Sequence, residues 1–252
     1  MLILISNDDG VHAPGLAALA SAATALGDVY VVAPATEQSA RSHGLTMHDP
    51  LRVRPLGDQR YSVTGTPADS VYLALNHLLP RAPDLVLSGI NRGSNLGSDV
   101  HYSGTVAAAR EAALNNIPAL AVSLSPRSRD ESRYHYDVAA EVAVEVARNL
   151  AADPPPHGIF LNLNVPDLPR EQILGIRPAP LCERMYAPLV QEGRDPRNRP
   201  YYWIGGPARG FGGGDHTDGA LVERGFATLS PMRLDPTAYE EMARLWQWFP
   251  NG

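Results

Sequence analysis

LILISNDDGVHAPGLAALASAATALGDVYVVAPA (residues 2–35) decides the fold. LILIS (2–6) is a short apolar run of β-favouring residues and reads as a buried strand. Pro14 to Leu26 reads as a helix, with Pro14 in the first turn and Gly27 at the C-terminal cap. VYVVAPA (29–35) is a second strand. Between the first strand and the helix lies NDDG, where Asp8 and Asp9 repel each other at a strand end. Asp-Gly is a common turn dipeptide, and a polar turn is the plain explanation. Two carboxylates at the end of a buried strand also need compensating charge. Arg41 and Arg92 are candidates, and a divalent cation, which takes oxygen ligands readily, compensates better.

The alternation continues outward from this unit. YSVTG (61–65) reads as a strand followed by a helix over 67–79, and DLVLSG (84–89) as a strand followed by a helix over 104–115. PALAVSL (118–124), a helix over 137–151 and GIFLNLNV (158–165) follow, after an arginine-rich stretch at 126–136. Short apolar strands separated by helices predict an α/β, doubly wound, mostly parallel sheet with right-handed crossovers. The pattern changes near residue 178, so residues 1–178 read as a catalytic core and 179–252 as a C-terminal arm, hairpin and helix. In that second part PYYWIGG (200–206) and GFATLSP (225–231) read as two strands flanking a glycine-rich excursion. Asp235 and Pro236 suit the start of a helix, on which Tyr239, Met242, Ala243, Trp246 and Phe249 form an apolar stripe. That stripe fits packing on the core or docking on a second subunit.

Composition narrows the function. The 252 residues are 44% hydrophobic and 19% charged, as in ordinary globular proteins. No apolar run approaches the ~20 residues of a membrane span, and no signal peptide is visible, so a cytoplasmic, non-membrane protein is expected. Cys182 is the single cysteine, which excludes an internal disulfide and any Cys-x-x-Cys motif. All 21 basic residues are arginine; without lysine there is no P-loop lysine, Schiff base or receiver-type phosphorylation site. A net charge of −6 argues against a nucleic-acid polymer as partner.

NDDG, TEQSARSHG (36–44), GTPAD (65–69) and GINRGSNLGSDVHYSGT (89–105) each follow a strand. In open parallel sheets such loops converge on the ligand. Ser39 and Asn91 can add neutral oxygens to Asp8 and Asp9, and an all-oxygen set favours one Mg²⁺ or Mn²⁺ over zinc. Ser103 reads as a helix N-cap with Gly104 and Thr105 in the first turn. Free amides there suit a phosphate, helped by the glycine-rich loop before them, although Ser-Gly-Thr by itself describes any capped helix. In GTPAD, Thr66 and Asp69 have capping-box spacing, which explains that motif structurally. His43 and His101 are candidate acid–base or substrate contacts.

Taken together, ILISNDDG (3–10), VVAPATEQSA (31–40), GTPADSV (65–71), LVLSGINRGSNLG (85–97), SGTVAAAREA (103–112), LNLNVP (161–166) and DHTDGALVERGFATLSP (215–231) resemble the stationary-phase survival protein SurE family. The resemblance implies a Rossmann-like fold and C-terminal arms exchanged between subunits of a homodimer or homotetramer. It implies a metal held at Asp8, Asp9, Ser39 and Asn91, and 5′/3′-nucleotidase activity on nucleoside monophosphates, extending to short polyphosphate. Asn95 is a further candidate phosphate contact, and Asp8 and Asp9 are the candidate catalytic carboxylates. One departure is SARSHG (39–44), where Ser42 stands at a position that is commonly glycine in the family. A non-catalytic sensor binding metal and nucleotide is the competing class.

Overall fold

The computed structural model describes residues 1–128, 130–186, 189–206 and 208–249. Its first unit is β1 (Leu2–Ser6), α1 (Pro14–Ala23) and β2 (Asp28–Pro34). A short hairpin, β3 (Val53–Pro55) and β4 (Arg60–Val63), precedes α2 (Pro67–Leu73). β5 (Leu85–Arg92), α3 (Gly104–Leu114), β6 (Ala119–Ser125), α4 (Tyr136–Ala152) and β7 (Ile159–Pro166) complete the α/β alternation. β8 (Ile176–Pro178) leads to β9 (Glu183–Tyr186), β10 (Val190–Arg194), β11 (Pro200–Ile204) and β12 (Ala208–Gly212). α5 (Asp218–Glu223), β13 (Ala227–Arg233) and α6 (Tyr239–Trp246) end the chain.

Nine strands form one sheet in the order β3-β4-β2-β1-β5-β6-β7-β13-β8. The six strands from β4 to β7 are parallel, while β3 and β13 run antiparallel to β4 and β7. Alternate residues of each strand face opposite layers. Ile3, Ile5, Leu85, Leu87, Leu120 and Val122 pack with Leu16 and Leu19 of α1 and with Val142 and Val146 of α4. Leu4, Val32, Val86 and Phe160 pack with Val71 of α2 and Val106 and Ala109 of α3. Both faces are covered, which is why the strands read as unbroken apolar runs.

The α3 and α4 crossovers both advance in the same direction, β5 to β6 to β7, but on opposite faces of the sheet. They therefore have opposite hands. α1 and α2 share the hand of α3, so α4 is the exception and the left-handed crossover. This corrects the uniformly right-handed expectation. α4 fills the face that α1 alone leaves open over β5–β7, and the long 126–135 connection gives the chain room to reach it.

Four other expectations shift. The sheet has an extra edge strand, β3, too short to be visible in LRVRP. The 67–79 helix is α-helical only to Leu73 and ends in a wider π turn, Ala74–Leu78. PYYWI and ATLSPMR are strands, but β11 pairs with β10, whereas β13 enters the central sheet between β7 and β8. The boundary at 178 thus falls between two paired strands, and the stretch that leaves the sheet carries β9 to β12. Finally, Asp235 holds the Thr237 amide at 2.9 Å in a turn, and the last helix begins only at Tyr239.

Candidate active site

The strand order reverses between β1 and β5, because the chain builds outward from β1 through β2 and β4 and then returns to β1's other side. Ligands of open parallel sheets bind at such a switch point, outside the carboxyl ends of the strands. Asn7, Asp8 and Asp9 leave β1 here, and Asn91 and Arg92 end β5 beside them. Gly10 adopts φ +100°, and a side chain there would meet the Thr36 carbonyl carbon at 3.3 Å. That turn allows the Val11 amide to reach the Pro34 oxygen at 2.8 Å and the Gln38 amide to reach the Asp8 oxygen at 2.7 Å. The loops after β1 and β2 are thereby held together.

α3 points its N-terminus at Asp8. The Ser103 hydroxyl caps the helix by accepting from the Val106 amide at 3.0 Å. The Thr105 hydroxyl donates to Asp8 Oδ1. A Cβ on Gly104 would lie 2.8 Å from the Asp8 Cβ, so only glycine allows this approach without displacement. The Gly104 and Thr105 amides, in the first helical turn, find no acceptor among the described residues.

Asp8 is 4% exposed, and its carboxyl is pushed up to about 6, first by burial. The Thr105 bond opposes that shift and the neighbouring Asp9 charge adds to it. Asp9 is also raised by burial, against the Arg92 amide, which donates to its Oδ2 at 2.9 Å, and the Arg92 guanidinium. Arg92 does not neutralise the pair alone, since it also binds Glu131 at 3.0 Å and Glu37 at 3.5 Å. Arg41 is exposed and joins no ion pair among the described residues.

The remaining oxygens suit a hard cation. Asp8 Oδ2 has no protein donor among the described residues. Asn91 donates through Nδ2 to the Gly93 oxygen at 2.7 Å, leaving Oδ1 free to accept. The Ser39 hydroxyl donates to Glu37 at 2.8 Å and keeps its lone pairs. No cluster of three or more His, Cys, Asp and Glu occurs among the described residues. Two carboxylates with an amide and a hydroxyl oxygen form the donor chemistry of Mg²⁺ or Mn²⁺.

A cleft of about 690 Å³ is lined by Asp8, Ser39, Asn91, Asn95 and Ser103, with Tyr102 among the residues farther along. Asp9 stands behind this wall through Arg92. Asn95 is fixed from below: its amide accepts at Asn164 Oδ1 (2.8 Å), its side chain donates to Ser123 (2.7 Å), and its carbonyl receives Asn162 and Asn164. This polar seam was visible in the sequence as LNLNV, two asparagines with period two in a buried strand. His43 is not among the cleft residues; its Nε2 lies 2.8 Å from Glu111 of α3. Glu111, itself 5% exposed, was not singled out because a glutamate on an alanine-rich helix reads as solvated.

Residues 42–46 are strapped to α2 and α3. The Ser42 amide donates to the Tyr102 oxygen at 3.1 Å, and Thr66 donates to the Gly44 oxygen at 2.7 Å. Asp69 completes the expected capping box with Thr66 and also accepts from the Thr46 amide (2.9 Å) and hydroxyl (2.6 Å). Ser42 takes φ +53°, a left-handed conformation in which glycine avoids roughly 1–2 kcal/mol of strain.

Residues 3–188 match the family described as Survival protein SurE. A 5′-nucleotidase SurE of Aeromonas hydrophila subsp. hydrophila is 46% identical over 254 residues, covering 98% of both chains. Another, of Geotalea daltonii, is 48% identical over 248 residues, covering 98% of this chain and 99% of its own. The solved SurE protein of Aquifex aeolicus superposes with a TM-score of 0.86 at 38% identity, over 98% of this chain and 99% of the other.

Proposed function

The chain belongs to the SurE family, and from that premise we propose that it is a metal-dependent 5′-nucleotidase that hydrolyses nucleoside 5′-monophosphates to nucleoside and phosphate. The observation that carries this reading is Asp8: a buried carboxylate, short of protein donors, facing two free amides of α3 across a cleft. A carboxylate held that way is prepared for a cation, and amides held that way are prepared for an anion.

Asp8, Asp9, Ser39 and Asn91 would hold one Mg²⁺ or Mn²⁺. When bound, such an ion supplies Lewis acidity toward a phosphoryl oxygen and offsets charge that develops in the transition state. The Gly104 and Thr105 amides, with Ser103, would take the other phosphoryl oxygens, and Asn95 would meet the same group from a position set by Asn162 and Asn164. Thr105 acts through its hydroxyl on Asp8, fixing the carboxylate's orientation. Water attacks phosphorus and the nucleoside alcohol leaves. His43 serves as a positioning residue that ties the loop after Ser39 to α3 through Glu111.

We extend the same site to nucleoside 3′-monophosphates and short polyphosphate, because its contacts are to the phosphoryl group. The exposed aromatic stripe of α6 and the exposed β10–β11 hairpin are proposed to pack on a second copy, giving a homodimer or homotetramer. Removal of residues 235–252 should lower the mass measured by light scattering; an unchanged mass would remove α6 from that role.

The test of function is phosphate release from a panel of nucleoside monophosphates, in EDTA and after Mg²⁺ or Mn²⁺ is restored. Release that returns with metal is expected. Nucleotide binding without release under every condition would leave the sensor reading in its place.

A further inference from the structure

The cleft continues past the phosphate end to a second wall that the hydrolysis described above does not use. Tyr102 and Tyr186 both line it. Tyr102 is 67% exposed although its backbone is fixed on both sides. Its amide donates to the Asp99 oxygen at 3.0 Å, and its carbonyl accepts from the Ser42 amide at 3.1 Å. Tyr186 comes from the other side, at the root of the arm. Its hydroxyl meets the Asp99 carboxylate at 2.7 and 2.8 Å, and Arg184 lies 3.1 Å from that carboxylate and 5.2 Å from the ring centroid.

Asp99 thus sets both residues: its backbone oxygen fixes Tyr102 and its carboxylate fixes Tyr186. Two aromatic rings are held at the rim of a polar cleft, where the hydrophobic effect alone would bury them. Tyr102 also directly precedes Ser103, so its ring projects from the turn that presents the phosphate-facing amides. A ligand with its phosphate on that turn carries its remaining bulk toward Tyr102.

We propose that Tyr102, with Tyr186 opposite, forms the nucleobase subsite, holding the base by stacking so that the enzyme distinguishes nucleotides from simple sugar phosphates. Stacking on an aromatic ring is tolerant of base identity, so the subsite selects for a base rather than for one base. This inference rests on the nucleotidase reading and adds the part of the substrate that reading leaves open.

The test compares AMP with ribose 5-phosphate, which has the same phosphoryl ester and no base. For the intact protein with Mg²⁺ or Mn²⁺, kcat/KM should favour AMP. In Tyr102→Ala the ratio of the two kcat/KM values should fall by about tenfold, mainly through KM for AMP, and in Tyr102→Phe it should stay within about twofold. Tyr186→Ala should lower the ratio by a smaller factor. Turnover of ribose 5-phosphate by each variant reports that the site is folded. A ratio that does not move in Tyr102→Ala, or an intact protein that does not distinguish the substrates, overturns the subsite and leaves the nucleotidase standing. No phosphate release from either substrate by the intact protein overturns both.

Discussion

Asp8 and Asp218 are both buried aspartates at the start of functional loops, and they are treated in opposite ways. Asp218, fully buried at the head of α5, accepts from the Gly97 amide at 3.0 Å, the Cys182 amide at 2.8 Å and the Gly219 amide at 2.7 Å. Its charge is answered by the backbone, and it pins the glycine-rich loop to the root of the arm. Asp8 has a single side-chain donor and a carboxyl pushed up to about 6. A carboxylate satisfied by the protein holds structure; one left short is held for a ligand, and the fold carries the expense.

Asp8→Asn should separate the two cases most strongly. Phosphate release from AMP should fall by about a thousandfold. Yet the metal-free variant should be the more stable protein at neutral pH. The carboxyl is raised from 3.8 to about 6, so the folded state binds this proton more tightly than the unfolded chain. Its contribution is therefore fully present below about 3.8 and lost as pH rises through about 6. In urea unfolding with EDTA, the variant should gain about 1–3 kcal/mol over the parent at pH 7.5 and little at pH 4. Equal stability at both pH values would break the contrast.

Gly104→Ala probes the same carboxylate from α3. Its Cβ, 2.8 Å from that of Asp8, must displace either the aspartate or the turn. A displacement of about 1 Å at a reacting centre lowers turnover by about a hundredfold, and steady-state kcat measures it. Asp218→Asn should instead act on stability: three amides facing a group with one acceptor oxygen should lower the unfolding free energy by about 2 kcal/mol, read from the urea midpoint. The smallest effect should come from His43→Ala. Ser42, Gly44 and Thr46 keep their own tethers, so KM should rise about threefold with kcat nearly constant. A collapse of kcat would make His43 an acid–base group rather than a tether.

The parallel core was legible because β1, β5, β6 and β7 are buried on both sides and show it as uninterrupted apolar runs. Asp8, Ser39, Asn91 and Ser103 were legible because polar residues directly after such runs have nowhere else to go than the strand ends. What stayed hidden depends on distance in the chain. The Glu111–His43 pair spans 68 residues, and the Asp218 bond to Gly97 spans 121. The hand of the α4 crossover is a property of which face remains uncovered, which no local pattern records. β13 could be read as a strand but not placed, since GFATLSP has the alternation of any half-buried strand.

That placement of β13 has a consequence for synthesis. β7 pairs with β6 on one side and with β13 on the other, and β13 begins at Ala227, long after β7 ends at Pro166. While the arm is being made, the nascent sheet ends on an open β7 edge carrying Ile159, Phe160 and Leu161, a ready template for another chain. The last seventh of the polypeptide closes that edge. Chains truncated before residue 227 should therefore aggregate rather than merely lose a tail, and the quality of the whole enzyme is decided when its final strand arrives.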